Sequence, residues 1–172
     1  SNNAFGAEAL DANQTGNYNN AFGNDSLGAN TTGAQNVAMG EQSGRSNTTG
    51  SFNVAVGSNA LYTNQTGAQN TAIGRAALFN ATGSLQTAVG DLALYGVTTG
   101  YGNVAMGQNA GATLTTGHSN TFVGTAAADA STGSLNAAFG YFAASNTTSG
   151  SAFTAVGANA LFNNTTGGEN TA

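Results

Sequence analysis

Residues 53–69 read NVAVGSNALYTNQTGAQ, and the remainder of the chain repeats this pattern. The template is Asn-x-Ala-Z-Gly-x-x-Ala-Leu-x-x-Asn-x-Thr-Gly-x-x, in which Z is a large apolar residue. The 172-residue chain contains ten copies, spaced by 17 residues except for two spacings of 16. A fixed period of this length predicts a solenoid, in which each unit buries its surface only against its neighbours.

Two glycine columns mark the repeat. The Z-Gly glycine recurs at Gly6, Gly23, Gly40, Gly57, Gly74, Gly90, Gly107, Gly124, Gly140 and Gly157. The Thr-Gly glycine recurs at Gly16, Gly33, Gly50, Gly67, Gly83, Gly100, Gly117, Gly133, Gly150 and Gly167, with Ser149 once in place of Thr. The two short units each lose one residue between the Z-Gly and Thr-Gly columns. We therefore place a tolerant turn between the Ala-Leu step and Thr-Gly.

The segment Asn-x-Ala-Z-Gly predicts a short β-strand. Successive side chains in a strand point to opposite faces, so x and Z share one face while Asn and Ala share the other. Z is apolar in every unit, and the Ala column is broken only by Phe122. Two apolar or small faces are typical of a strand that is covered on both sides. One cover is the coil interior and the other is another chain, so we expect a buried Z column and a homotrimer.

The rest of the unit gives further expectations. The Ala-Leu step predicts a second strand, and the Thr-Gly step predicts a corner whose glycine has a positive φ angle. Phe122 is expected to fill space near Ala128, the small residue of its own unit. A ladder of side-chain hydrogen bonds is expected from Asn13, Asn30, Asn47, Asn64 and Asn80, and the Thr column beside Gly is expected to act in the same way.

Composition excludes several classes of protein. An apolar fraction of 40% with strict periodicity argues against disorder. The absence of cysteine excludes disulfides and thiolate sites. A net charge of −5, with Arg45 and Arg75 as the only basic residues, argues against nucleic acid and anionic membranes as partners. No apolar run approaches the ~20 residues that span a bilayer, so no membrane insertion by this segment is expected.

No residue pattern indicates a chemical site. We predict no catalytic, cofactor-binding or metal-binding residue, and no enzyme activity. His118 is the only histidine and has no recurring partner for acid–base chemistry. The seven carboxylates form no column, which argues against a calcium-binding roll and against the paired acids of a glycan-cleaving tailspike. We interpret the carboxylates as solvated turn residues, and the repeated Asn-x-Thr triplets as corner residues rather than glycosylation sites.

The step NVAVGSNA from Asn53, with NTAIGRAA from Asn70, resembles the head repeats of trimeric autotransporter adhesins. That resemblance implies a left-handed parallel β-roll in which three chains pack around one axis. The longer unit, with ALYTNQTG from Ala60 and ALFNNTTG from Ala160, is similar to 17-residue repeats in fibre proteins of bacteria and their phages. Such repeats are often followed by a self-cleaving endosialidase-type chaperone.

These observations predict an all-β protein, a parallel β-solenoid or β-roll of ten 17-residue coils. We interpret residues 1–172 as a single repeat domain and as a fragment of a longer fibre protein. The expected function is a structural and adhesive segment of a trimeric surface or tail fibre, located outside the cell, on a cell surface or on a virion. A host or prey cell-surface glycan or protein is the expected partner. The alternative is an ice-binding β-solenoid, suggested by the Thr column.

Overall fold

The segment Asn-x-Ala-Z-Gly forms one three-residue strand in each coil of the computed structural model, which describes residues 1–172. The strands pair in sequence order into one parallel sheet, and equivalent residues face each other, as Ala55 faces Ala72. No helix is present, and the prediction of an all-β parallel solenoid is confirmed. The strands are β1 Asn3–Phe5, β2 Asn20–Phe22, β3 Val37–Met39, β4 Val54–Val56, β5 Thr71–Ile73, β6 Thr87–Val89, β7 Val104–Met106, β8 Thr121–Val123, β9 Ala137–Phe139 and β10 Thr154–Val156.

The interior of the solenoid is lined by the smaller face of each strand. Ala21, Ala72 and Ala138 are representative of the Ala column, and all three are fully buried. The prediction that the Z column is buried is wrong for the single chain, because this column points out of the coil. Ile73 is 40% exposed and Val156 is 62% exposed. The Ala column has smaller side chains than the Z column, and the narrow coil interior accommodates the smaller ones.

The second predicted strand is absent, and the Ala-Leu segment is a turn. Leu61 and Leu78 have left-handed φ angles of 54° and 53°, and Asn59, two residues before Leu61, has 59°. The turns still bond to one another between coils, as Leu61 N–H does to the carbonyl of Ala77 at 2.9 Å. Only 18 of the 115 backbone hydrogen bonds lie within strands, so the turns supply most of the contact between coils.

The two glycine columns have roles opposite to those predicted. The Z-Gly glycine takes the positive angle, with φ 127° at Gly57, whereas Gly67 in the Thr-Gly column does not. Gly67 is instead required by close approach. A Cβ at Gly67 would collide with Asn64 Oδ1 and with the carbonyl oxygen of Gly83 on the next coil. The expected positive φ at Thr-Gly is therefore wrong.

A column of buried amide side chains precedes the strands and links each coil to the next. Asn53 is representative: its Oδ1 accepts from the backbone N–H of Asn70 at 3.0 Å, and its Nδ2 donates to the carbonyl of Gly67 at 2.9 Å. Both the oxygen and the nitrogen of the amide have hydrogen-bond partners. Burial of this polar group therefore does not incur the free-energy cost of an unpaired polar atom. Buried members of this strand-entry column are Asn19, Asn36, Asn53, Asn70, Gln86, Asn103, Asn120 and Asn136.

The predicted Asn ladder is a second amide column, and it exists in the first four coils. In each of three coils the asparagine Nδ2 donates to the Oδ1 of the equivalent asparagine one coil earlier. The distances are 2.9 Å for Asn30, 2.8 Å for Asn47 and 3.2 Å for Asn64. The inclusion of Asn80 is wrong, because Ala81 takes the interior position in that shortened coil. Apolar residues then continue the column at Val97 and Leu114.

Phe122 replaces the alanine of β8 and is fully buried, as predicted. The small residue that its ring lies against is Gly111 of the preceding coil, since a Cβ at Gly111 would come within 2.7 Å of Phe122 Cδ2. Gly111 stands where most coils have leucine. The large side chain of Phe122 therefore fills the space left by the absent leucine side chain at Gly111 in the adjacent coil, as dense interior packing requires.

Replacement of Asn47 by alanine tests the ladder. Asn47 donates to Asn30 and to the carbonyl of Gly50, and it accepts from Asn64, so the change leaves buried polar atoms without partners. We expect a loss of about 1–3 kcal/mol in the free energy of unfolding, measured by chemical denaturation. Asn146→Ala is the control, because Asn146 begins a similar Asn-Thr-Thr sequence but is exposed. Equal losses in both variants would contradict the ladder.

Gln69 and Gln65 test the left-handed positions. Both are exposed, but only Gln69 has a positive φ angle, 59°. Gln69→Gly should stabilise the fold by about 0.5–1 kcal/mol, because a left-handed conformation costs an L-residue more than the backbone entropy that glycine loses. Gln65→Gly should destabilise it by a similar amount. Thermal unfolding of both variants would measure the two shifts, and the same sign in both would show that backbone strain is not the cause.

Candidate functional site

No group of three or more His, Asp or Glu residues is close enough to hold a metal ion. The ring of His118 stacks on Tyr101, with centroids 4.9 Å apart, and its Nδ1 lies 3.3 Å from Ser119 Oγ. No carboxylate contacts it. This arrangement provides a planar stacking surface rather than an acid–base pair.

Both arginines are paired with an aspartate from an adjacent coil. Arg45 Nε contacts Asp25 Oδ2, and this hydrogen bond raises the pKa of the Arg45 guanidinium. Arg75 Nη2 donates to Asp91 Oδ2 at 3.0 Å, while its Nε lies 2.9 Å from Oδ1 without hydrogen-bond alignment. Asp25 is 9% exposed, so the interpretation of all carboxylates as solvated turn residues is wrong there.

The outward side chains of β1–β10 form one continuous surface, which we call the apolar face. It consists of the Z column, which is apolar throughout, and the x column, which holds Asn, Val, Thr and Ala. None of its twenty residues is charged. Seven of its members are large hydrophobic residues at least 40% exposed: Phe5, Phe22, Met39, Ile73, Met106, Phe139 and Val156. The corners that lead into the strands add Tyr18, Phe52, Leu85, Tyr101 and Leu135.

Charge is confined to the other side of the coil. Of the nine charged residues, eight lie in the turn segment between the Z-Gly and Thr-Gly glycines, and only Glu169 lies in a strand-entry corner. Contiguous apolar surface of this kind marks an interaction site in soluble proteins. The solenoid therefore presents one uncharged side, suited to association, and one polar side.

An aromatic stack lies on the polar side. Tyr62 and Phe79 stack with centroids 4.9 Å apart and planes within 1°, and Phe79 and Tyr95 stack at 5.3 Å. All three follow the Leu position of their units, so stacking of the coils brings them into one column. The sequence pattern did not reveal this column because only four of its ten members are aromatic, the fourth being Phe162. The signal was the recurrence of Tyr or Phe directly after Ala-Leu in three successive units.

The threonine beside each Thr-Gly glycine is exposed in every coil, with Ser149 in one. The expected hydrogen-bond ladder of this column is absent in full-length coils. The threonine one residue earlier forms such bonds instead, as Thr31 Oγ1 donates to the carbonyl of Thr48 at 3.0 Å. The exposed hydroxyls are thus one regular rank. The neighbouring rank is interrupted by Gln14, Gln65 and the shortened coils.

Comparisons with protein-family models, with curated proteins and with solved structures find no match to this chain. No helix in the chain is long and apolar enough to cross a membrane. The candidate site therefore has to be assigned from the chain's own geometry: the apolar face, the aromatic stack and the threonine rank.

Asp129 gives a pH-dependent prediction. Burial raises the pKa of its carboxyl above the ordinary value, because a partly buried site disfavours the charged form. The contribution of the Asp129 carboxyl to the free energy of unfolding is fully present below the ordinary aspartate pKa, near 4. This contribution is lost as the pH rises through the pKa of Asp129 in the folded chain. Asp129→Asn should therefore be more stable than the native chain at pH 7, and the difference should shrink toward pH 3.

Thermal unfolding between pH 3 and 7 would measure this difference. Glu41→Gln is the control, because Glu41 is exposed. A neutral-pH gain in Glu41→Gln equal to that in Asp129→Asn would show that lower net charge, rather than local burial, is responsible.

Proposed function

We propose that the chain is a structural and adhesive segment of a trimeric fibre outside the cell, on a cell surface or on a phage tail. The observation that carries this proposal is the apolar face, which runs uncharged and in register through all ten coils. A monomer would expose this strip along the whole rod, and soluble monomers rarely tolerate apolar patches of more than a few hundred Å².

A second copy of the same chain is the partner that best fits this face. The face has the coil period, so a partner with the same period matches it from end to end. Cyclic symmetry around the fibre axis keeps all chains parallel and uses the same contacts in each. Three copies are favoured because the NVAVGSNA and NTAIGRAA steps resemble trimeric adhesin heads.

The polar side is then the part of the fibre that meets other molecules. It carries nearly all of the charge, the aromatic stack and the exposed threonines, and its variable positions change from coil to coil without altering the register. We infer a glycan or protein of a host or prey cell surface as the partner, with no chemistry performed by the chain.

Solution mass tests the trimer. Light scattering coupled to gel filtration should give three times the chain mass of 16.8 kDa. Ile73→Asp should give a monomer that keeps its β circular dichroism, because Ile73 points outward in one chain but would place an unpaired carboxylate in the interface. Gln108→Asp, on the exposed polar side, is the control and should remain trimeric. A native monomer, or a trimeric Ile73→Asp, would refute the proposal.

The second candidate is an ice-binding solenoid, favoured by the regular rank of exposed hydroxyls beside the Thr-Gly glycines. It is weaker because flat ice-binding faces need two regular ranks, and here the second rank is broken. A thermal hysteresis measurement separates the two candidates: the fibre predicts none, whereas hysteresis lost on Thr66→Tyr would favour ice binding.

A further inference from the structure

The aromatic stack has two different ends. At one end Arg45 covers Tyr62: its Cζ lies 5.7 Å from the ring centroid, and Nη1 donates to the Tyr62 hydroxyl at 3.3 Å. At the other end the next residue of the column is Ala112, which has no ring. The outer face of Tyr95, which is 36% exposed, therefore has no aromatic neighbour.

A groove runs beside this open end. Its volume is about 410 Å³, and its walls include Phe79, Tyr95 and Ala112 together with the polar residues Asn59 and Arg75. Ligand sites of 300–1,000 Å³ typically combine apolar walls with a few polar groups that fix orientation. The groove has this composition, and it lies outside the apolar face.

We propose that this groove binds a neutral saccharide, with one sugar ring placed on Tyr95 where the ring missing at Ala112 would be. The aromatic spacings of 4.9 and 5.3 Å follow the coil spacing, so the position above Tyr95 has room for one further ring. The C–H face of a pyranose packs on an aromatic face. Its hydroxyls would bond to the guanidinium of Arg75, which reaches Asp91 in the coil of Tyr95. A second sugar unit along the groove would reach the amide of Asn59.

Charge disfavours the other ligand classes. An anion would meet an arginine already paired with Asp91, on a chain whose net charge is −5. A cation would meet the Arg75 guanidinium in the groove wall. A purely apolar ligand would displace water from Asn59 and Arg75 without replacing the hydrogen bonds that the water makes. A neutral ring with hydroxyls satisfies both kinds of surface.

This site rests on the proposed attachment function and deepens it. Each chain of a trimer would offer one groove on its polar side, and three grooves on one rod would raise the avidity for a glycan-covered surface without any new contact. A weak single site would then be sufficient for attachment.

Binding of the fluorescently labelled chain to an array of immobilised bacterial and eukaryotic glycans tests the proposal. The native chain should bind neutral glycans, and Tyr95→Ala should lower the signal at least tenfold. Ala112→Trp should do the same by filling the place of the sugar ring while keeping every native ring. Phe162→Ala is the matched control, because Phe162 also follows an Ala-Leu step and packs on another ring, that of Phe142, but lies outside the groove.

Two results would overturn the site: no neutral glycan bound by the native chain, or binding that survives both Tyr95→Ala and Ala112→Trp. Solution mass separates this outcome from failure of the fibre, since neither position lies on the apolar face. A trimer that binds no glycan refutes the site alone. A monomer whose binding depends on Tyr95 refutes the fibre and leaves the site in place.

Discussion

The structure depends on the amide bridge between successive coils. A coil of 17 residues encloses too little volume for a large apolar core, and its buried alanines contribute little surface each. The side chain of Asn53 compensates with two hydrogen bonds at the junction of two coils, to the carbonyl of Gly67 at the end of its own coil and to the N–H of Asn70 at the start of the next. Because each bridge requires the following coil at a fixed height and angle, the strands stay in register from β1 to β10.

The second amide column shows how the interior changes without loss of register. From Asn13 to Asn64 the interior corner is polar and hydrogen-bonded. It is apolar in the next three coils, and buried hydroxyls follow at Ser131 and Thr147. The change coincides with the first shortened coil, and Asn64 Oδ1, at the boundary, has no partner. The strand-entry column continues through this coil, with Gln86 bonded to Asn70. One bridge is therefore sufficient to hold the stack, while the other is replaceable by apolar packing.

Spacing did not decide which strand face lines the interior. The period and the parallel sheet were predictable because each rests on spacing alone. The turn conformation was not. Leu61 follows Ala60 in a pattern that suits a strand, and a left-handed leucine has no sequence signature. The displacement of Asn80 was hidden for a different reason: a one-residue deletion is compatible with several alignments, and only the geometry places Ala81 inside. The aromatic stack escaped notice because it occupies three coils, whereas the columns were judged over ten.

Separation of the two sides of the coil explains how a uniform repeat can carry a local site. The outward residues of the strand side vary only among uncharged types, and in the proposed fibre this side matches a partner of the same period. On the turn side, an outward side chain contacts only its own coil and the two adjacent coils. A substitution there therefore alters the surface only near that coil. Arg45, Tyr62, Phe79, Tyr95 and Ala112 are five such substitutions in one column, and together they make a stack with one closed and one open end. Recognition can therefore change by point substitution on the turns while the amide bridges and the apolar face keep the rod unchanged.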